Sequence, residues 1–402
     1  MLYELQILDS GSLKAVCSLS CCCSKEVHFL FVGKYNRMLE LLWYVGFCRE
    51  FPSQLADRIC GHPDWNRHVK YEAIKRGYIS VYRVQYRQRV VRSLRLTSLG
   101  LEYIAQRDPG ALPYVMAQQD SGAGSRNVGE RILRYHAQAI ALIMARNAGV
   151  IFLPDQKPSL LANPLASSTP YDPEQYYFFS TQELREAIQE RGNRADPNMK
   201  TVAKSSRLLG VIVHGRYCYC LYHTGHTRMY WLAGTEENMV AAVEQVLRIR
   251  GICCEVFSEV IIGTKIGVAK KLMRVEGRGS SRYFTLSNRY NNIFFVTNDH
   301  HGDDLLGIII NPQKQLEINR RALEGMIPPL GTKFYDALTP DRRRPVVLGY
   351  TCDLFSFSNL SAYQSGFDEP TIVLCYDYQL NTIQSIVETP TEVRVMKGGD
   401  TS

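Results

Sequence analysis

Residues 63–104 read PDWNRHVKYEAIKRGYISVYRVQYRQRVVRSLRLTSLGLEYI. The stretch opens as a helix. Pro63 and Asp64 suit a first turn, Trp65, Val69 and Ala73 recur at i, i+4 spacing on one side, and Gly77 stops it. That spacing places Asn66, Arg67, Lys70 and Tyr71 on the outer face. Two alternating segments follow, 78–84 and 90–96, around a turn at Tyr86-Arg87-Gln88-Arg89. Leu96-Thr97-Ser98-Leu99-Gly100 then carries a strand end into a closing helix.

Upstream, residues 38–45 (MLELLWYV) fit one helical stripe. A second short helix is expected next, with Pro52 near its first turn, Leu55, Ala56 and Ile59 on one side, and Gly61 at its end. Three helices, a basic hairpin and a closing helix make the order of a winged helix-turn-helix over residues 34–107. In that geometry the third helix enters the major groove of duplex DNA and the hairpin touches the flanking backbone.

Charge agrees with this reading. Residues 34–107 hold 14 Lys and Arg against 6 Asp and Glu, a net +8 that equals the formal charge of the whole chain. The remainder is neutral, so the surplus forms a local footprint for phosphate. The expected DNA contacts are Asn66, Arg67, Lys70 and Tyr71 on the third helix, and Arg83, Arg87, Arg89 and Arg95 on the hairpin. Winged helices also serve as protein-interaction modules, which is the competing interpretation of the same pattern.

The chain has 402 residues, 45% hydrophobic and 21% charged, which suits a folded protein of two or three domains. No apolar run approaches the ~18–20 residues of a membrane span. Glu4 and Asp9 stand where a secretion signal would be basic, so the chain reads as cytoplasmic with no membrane partner. Residues 1–33 read as a loose extension in which Cys17, Cys21, Cys22 and Cys23 cluster, with His28 as the local metal-ligand neighbour. The twelve cysteines are scattered and read as thiols.

Residues 108–126 read as a Gly/Ser/Asp linker. Beyond it strands and helices interleave, giving a larger mixed α/β region divided into 127–251 and 252–397 near Gly251. The expected elements are a buried helix at 128–147, a strand at 150–153 and a capping-box helix from Ser180-Thr181-Gln182-Glu183. A meander over 208–232, with strands at 211–213, 217–222 and 229–231, precedes a helix at 236–250. Further strands are expected at 282–286, 293–297, 305–310, 346–351 and 371–376, with helices at 313–323 and 378–387.

Four constellations could carry chemistry. His214, Cys218, Cys220, His223 and His226 are metal-ligand types, but the separated second ligand pair of a structural zinc site is missing, and buried thiols with turn histidines explain them. Asn298-Asp299-His300-His301-Gly302-Asp303-Asp304 fits a hydrated turn between two strands. Asp155-Gln156-Lys157 has half the spacing of a Mg²⁺ nuclease core, with Glu130 as the earlier acidic residue. The stretch 263–271 is glycine-spaced yet lacks the phosphate-loop pattern. No catalytic residue, metal ligand or cofactor is therefore assigned.

The winged unit, from Leu41-Leu42 to Leu96-Thr97-x-x-Gly100, and the helix bearing Arg131-Ile132-Leu133-Arg134-Tyr135-His136 resemble the replication-relaxation group of plasmid and integrative-element proteins. The resemblance covers about a quarter of the chain. In that group a His-bearing helix likewise follows the winged domain, and many members later carry a Pro-Asp pair with an acidic strand motif. Here Pro154-Asp155 is present without a clear acidic strand motif. The resemblance implies a DNA-binding accessory or regulatory protein of a mobile element, with double-stranded DNA as partner. The α/β region is then left for a homodimer or a protein partner. The alternative is a metal-dependent nuclease or relaxase-associated enzyme targeted by the winged helix.

Overall fold

The computed structural model of the chain describes residues 36–59, 61–119, 128–164, 168–192, 198–225, 231–265, 267–273, 284, 286, 289–329, 335–364, 366–387 and 391–396. The cysteine cluster at 17–23 and His28 lie outside them. The described residues form a mixed α/β fold with three sheets. Helix α1 (Arg37–Cys48) starts where the Asn36 side chain accepts from the Met38 and Leu39 amides, at 3.1 and 3.3 Å. Its apolar stripe, Leu41, Leu42 and Val45, is buried. Each such side chain contributes about 1.5–3 kcal/mol on leaving water.

The expected second helix is corrected. Phe51–Pro52 is a short strand, β1, and only Leu55–Arg58 winds into a 3-10 turn. Proline donates no hydrogen bond and is tolerated at a sheet edge, where Pro52 lies opposite Ser93. Helix α2 (Pro63–Lys75) leads through Gly77, at φ 73°, into β2 (Ile79–Tyr86), which pairs antiparallel with β3 (Arg89–Leu96). The sheet order is β1-β3-β2. Helix α3 (Ser98–Arg107) is capped by Thr97, whose hydroxyl accepts from the Gly100 amide. A Cβ at Gly100 would lie 2.2 Å from the Tyr78 carbonyl oxygen, so only glycine fits that crossing.

Part of the expected linker is helical instead. Helix α4 (Leu112–Gln119) packs Val115 against Gly46 of α1, and residues 120–127 lie outside the described residues. Helix α5 (Val128–Asn147) then belongs to both halves. Arg146 bonds Glu40 at 2.8 Å and the Tyr44 hydroxyl at 2.9 Å, while buried Ile143 and Met144 join the core of the following sheet. The N-terminal unit is thus docked through a shared helix.

Next come β4 (Tyr177–Ser180), α6 (Thr181–Gly192), α7 (Asn198–Ser205), β5 (Gly210–His214), β6 (Tyr217–Gly225), α8 (Ala233–Ile249), β7 (Val256–Gly263), α9 (Gly267–Met273) and β8 (Asn292–Thr297). Strands β4, β5 and β6 pair antiparallel, whereas β6, β7 and β8 run parallel. The capping box of α6 forms: the Ser180 amide donates to Glu183 at 2.8 Å, and Ser180 Oγ accepts from the Glu183 amide at 3.3 Å.

Three expectations change here, and one lies largely outside the described residues. Because β6 and β7 pair across Gly251, no boundary between sheets falls there. Residues 150–153 contribute only a bridge from Ile151 to Tyr177. The third meander strand and the strand at 282–286 fall largely outside the described residues. Residues 305–310, expected as a strand, belong to helix α10 (His300–Ile309) and its cap, because a short apolar run does not by periodicity separate a buried helix from a strand.

Helix α11 (Pro312–Ala322) leads to the third sheet, built from β9 (Ala337–Leu338), β10 (Pro345–Leu348), β11 (Thr371–Cys375) and β12 (Thr391–Val395). Helices α12 (Leu354–Ser358), α13 (Leu360–Gln364) and α14 (Leu380–Ile386) make the crossovers between its parallel strands. Buried Asp353 joins this sheet to β8 by accepting from Asn292 Nδ2 and the Ile293 amide at 3.0 and 3.2 Å. No helix among the described residues is long and apolar enough to cross a membrane.

Candidate nucleic-acid interface

Helix α2 is rotated by one position from the expected register. Asn66, Val69 and Ala73 are buried, while Trp65 is 56% exposed. The Asn66 amide donates to the Ile59 carbonyl, satisfying the end of the 3-10 turn, so Asn66 leaves the outer face. Lys70 is also withdrawn: its ammonium bonds Asp57 Oδ1 and the Ser53 carbonyl, both at 3.0 Å. The polar groups of the preceding turn draw both side chains inward, an effect invisible to apolar spacing. Arg67 and Tyr71 stay exposed, joined by Trp65 and His68. Arg67 pairs with Asp64 at 2.7 Å and Asp57 at 3.8 Å, surface contacts of little strength.

The hairpin holds the larger positive surface. Its turn is two residues long, with Arg87 at φ 54° and its guanidinium 5.2 Å from the centre of the Tyr86 ring. Arg87 and Arg89 are exposed at the tip. The register places Arg83 directly opposite Arg92. Both are exposed, and neither has a carboxylate partner among the described residues. Arg92 was missed by the sequence reading, although a two-residue turn after Tyr86 would have put it beside Arg83. Arg95 departs from expectation: it pairs with buried Glu50 and lies 3.5 Å over the Tyr82 ring.

The opposite face of the hairpin is closed by α5. Ser93 Oγ lies 2.6 Å from His136 Nε2, Tyr86 donates to Glu130 at 3.2 Å, and a Cβ at Gly129 would meet the Tyr86 ring at 2.2 Å. Burial holds His136 down to about 4, so the ring is neutral near pH 7. The other face is buried at its base by Ile79 and Leu94 and open toward the tip, where it carries Arg83, Arg92 and the exposed Val81 and Val90.

The other sequence candidates are accounted for elsewhere. Cys218 and Cys220 are buried thiols in β6, and His214 stacks on Tyr176 at 3.9 Å; His226 lies outside the described residues. Among the described residues no group of three His, Cys, Asp or Glu is placed to hold a metal. The expected turn at 298–304 is the start of α10: Asp299 caps it, and Asp303 pairs with Arg58 at 2.6 Å and with Asn147 at 2.8 Å. Lys157 is buried, bonding Glu183 at 2.7 Å and the Phe178 carbonyl at 2.7 Å. It lines a cavity of about 60 Å³ together with Phe47, Tyr114, Gln138 and Gln182. That is room for a few waters and far below the ~300 Å³ of a typical ligand pocket. Gly263 ends β7 where a Cβ would strike the Phe295 ring at 2.2 Å, a packing reason for glycine.

Comparison with family models, curated proteins and solved structures finds no match for this chain.

Proposed function

We propose that residues 36–107 form a winged helix that binds duplex DNA, with α2 in the major groove and the β2–β3 hairpin along the backbone. Element order supports this: helix, short strand, 3-10 turn, helix and hairpin, with β1 pairing on β3. The observation that carries the reading is the Arg83–Arg92 pair. Like charges directly opposite on two strands are destabilising, and this pair is exposed with no carboxylate partner among the described residues. A phosphate backbone laid along that face offsets the repulsion through charge-assisted bonds. Exposed Trp65 and Tyr71 supply apolar contact on the helix side.

Joined to the resemblance carried by residues 41–100 and 131–136, this makes the chain an accessory or regulatory DNA-binding protein of a mobile element. The α/β region then serves self-association or a protein partner. The test is fluorescence anisotropy of the full chain on duplex DNA across a salt series. Five neutralised phosphates give a log–log slope of roughly −4.5. Affinity that is equal at about 50 mM and about 200 mM salt would remove the reading.

A further inference from the structure

Three rings stand out from α2 into solvent. Trp65 is 56% exposed, Tyr71 is 62% exposed, and His68 between them is exposed as well. The Trp65 and His68 ring centres lie 6.0 Å apart, with their planes at 39°. Each helical residue turns by about 100°, so Trp65, His68 and Tyr71 step round by about 60° each and form one continuous stripe. Trp65 and Arg67, by contrast, stand about 160° apart. With Arg67 toward base edges, Trp65 therefore lies at the wall of the groove and not on its floor.

Single exposed apolar side chains are ordinary, but a contiguous run of rings marks a contact surface. The other two tryptophans, Trp43 and Trp231, pack into the core. Charge identifies the occupant. The carboxylates of α2 are held by its own cations, Asp64 by Arg67 at 2.7 Å and Glu72 by Arg76 at 3.4 Å. The surplus of the unit, a net +8 over residues 34–107, remains for an anionic strand. Rings interleaved with cations are the surface on which unpaired bases stack. Paired bases offer the major groove their edges only, so an intact duplex has no ring face for Trp65 to cover.

We propose that Trp65, with His68 beside it, is a stacking platform for unpaired nucleobases, so that the winged unit selects duplex DNA bearing a single-stranded tail. Resting on the duplex reading above, in which α2 and the hairpin hold the paired segment, the platform meets the strand where it leaves that segment. The stacking is tolerant of sequence, because every base has a ring face.

The experiment is fluorescence anisotropy of the full chain on two tailed duplexes with the same paired segment. One carries an unpaired oligo(dT) tail. The other carries an abasic tail of equal length, which keeps the phosphates and removes the rings. The oligo(dT) tail should bind about tenfold tighter, the effect of one stacked base. It should also quench tryptophan emission, since Trp65 is the exposed indole. In Trp65→Ala the two tails should bind alike, and Trp65→Phe, which keeps a ring, should restore the preference without the quench. Equal wild-type affinity for the two tails, with binding intact, overturns this proposal alone. No binding of either DNA removes the duplex reading with it. A preference that survives in Trp65→Ala places the stacking elsewhere and also overturns the proposal. If a variant does not fold, wild-type quenching by oligo(dT) but not by the abasic tail decides.

Discussion

Arg83 and Arg92 face each other across the β2–β3 hairpin, on the side that α5 leaves open. Removing either charge relieves a repulsion in the folded chain and removes a phosphate contact in the complex. The double change Arg83→Ala with Arg92→Ala should therefore leave Tm equal or higher while weakening all DNA sequences alike. The salt slope should fall by about 2. Loss of affinity confined to one sequence would mean that these residues read bases.

Lys70 and Arg67, neighbours on α2, should separate cleanly. Lys70→Met removes the bonds to Asp57 and Ser53 and should cost about 1–2 kcal/mol of stability, without changing sequence preference. Arg67→Ala should leave urea midpoints nearly unchanged and relax discrimination by about 1–3 kcal/mol if it meets a guanine edge. The reverse assignment in paired unfolding and binding measurements would place Lys70 back on the outer face.

His136 gives a signed pH effect. Its folded value is about 4 against 6.5 unfolded, so between those limits the unfolded chain binds the extra proton. The stabilisation is complete above about pH 6.5 and is lost as pH falls toward 4. Up to about 3 kcal/mol is involved. Urea unfolding of the wild type and His136→Gln should show a stability difference that shifts against the wild type over that window. A pH-independent difference would place His136 in water.

Glu259 works in the opposite direction. It is fully buried in β7 with both oxygens unpartnered, and burial followed by the charges of Cys220 and Glu236 raises its carboxyl. The folded chain holds a proton that the unfolded chain releases, so stability declines as pH rises from the unfolded value toward the folded one. Glu259→Gln should be more stable than the wild type at about pH 8, with the gap narrowing toward about pH 5. A destabilised variant at both values would require a partner for the carboxylate.

Asp303 of α10 holds the N-terminal unit through Arg58 and is itself bonded by Asn147 of α5. Asp303→Ala leaves the Arg58 guanidinium without its pair and should cost about 3 kcal/mol. It should not alter DNA affinity of the folded protein, because neither Arg58 nor Asp303 bonds Arg83, Arg87, Arg89 or Arg92 of the hairpin. Calorimetry and anisotropy on the same preparation decide this.

Local signals made much of the fold legible. Gly77, Thr97 and Gly100 punctuate the N-terminal unit where the sequence places them, and the Ser180–Glu183 capping box starts α6 as expected. These depend on backbone angles and neighbouring hydrogen bonds, which the sequence states directly. Long-range pairing decided the rest. Phe51–Pro52 is a strand because β3 lies beside it, and residues 305–309 are helical in a helix that Asp299 caps, with Leu305, Leu306 and Ile309 buried in the core. The face of α2 was set by Asn66 and Lys70 reaching polar groups of another turn, which no apolar period encodes. The Arg83–Arg92 opposition was latent in the turn length. The exposure of Trp65 was not, since apolar spacing turns that ring inward and only the packed chain, with Asn66 in the inner place, turns it out.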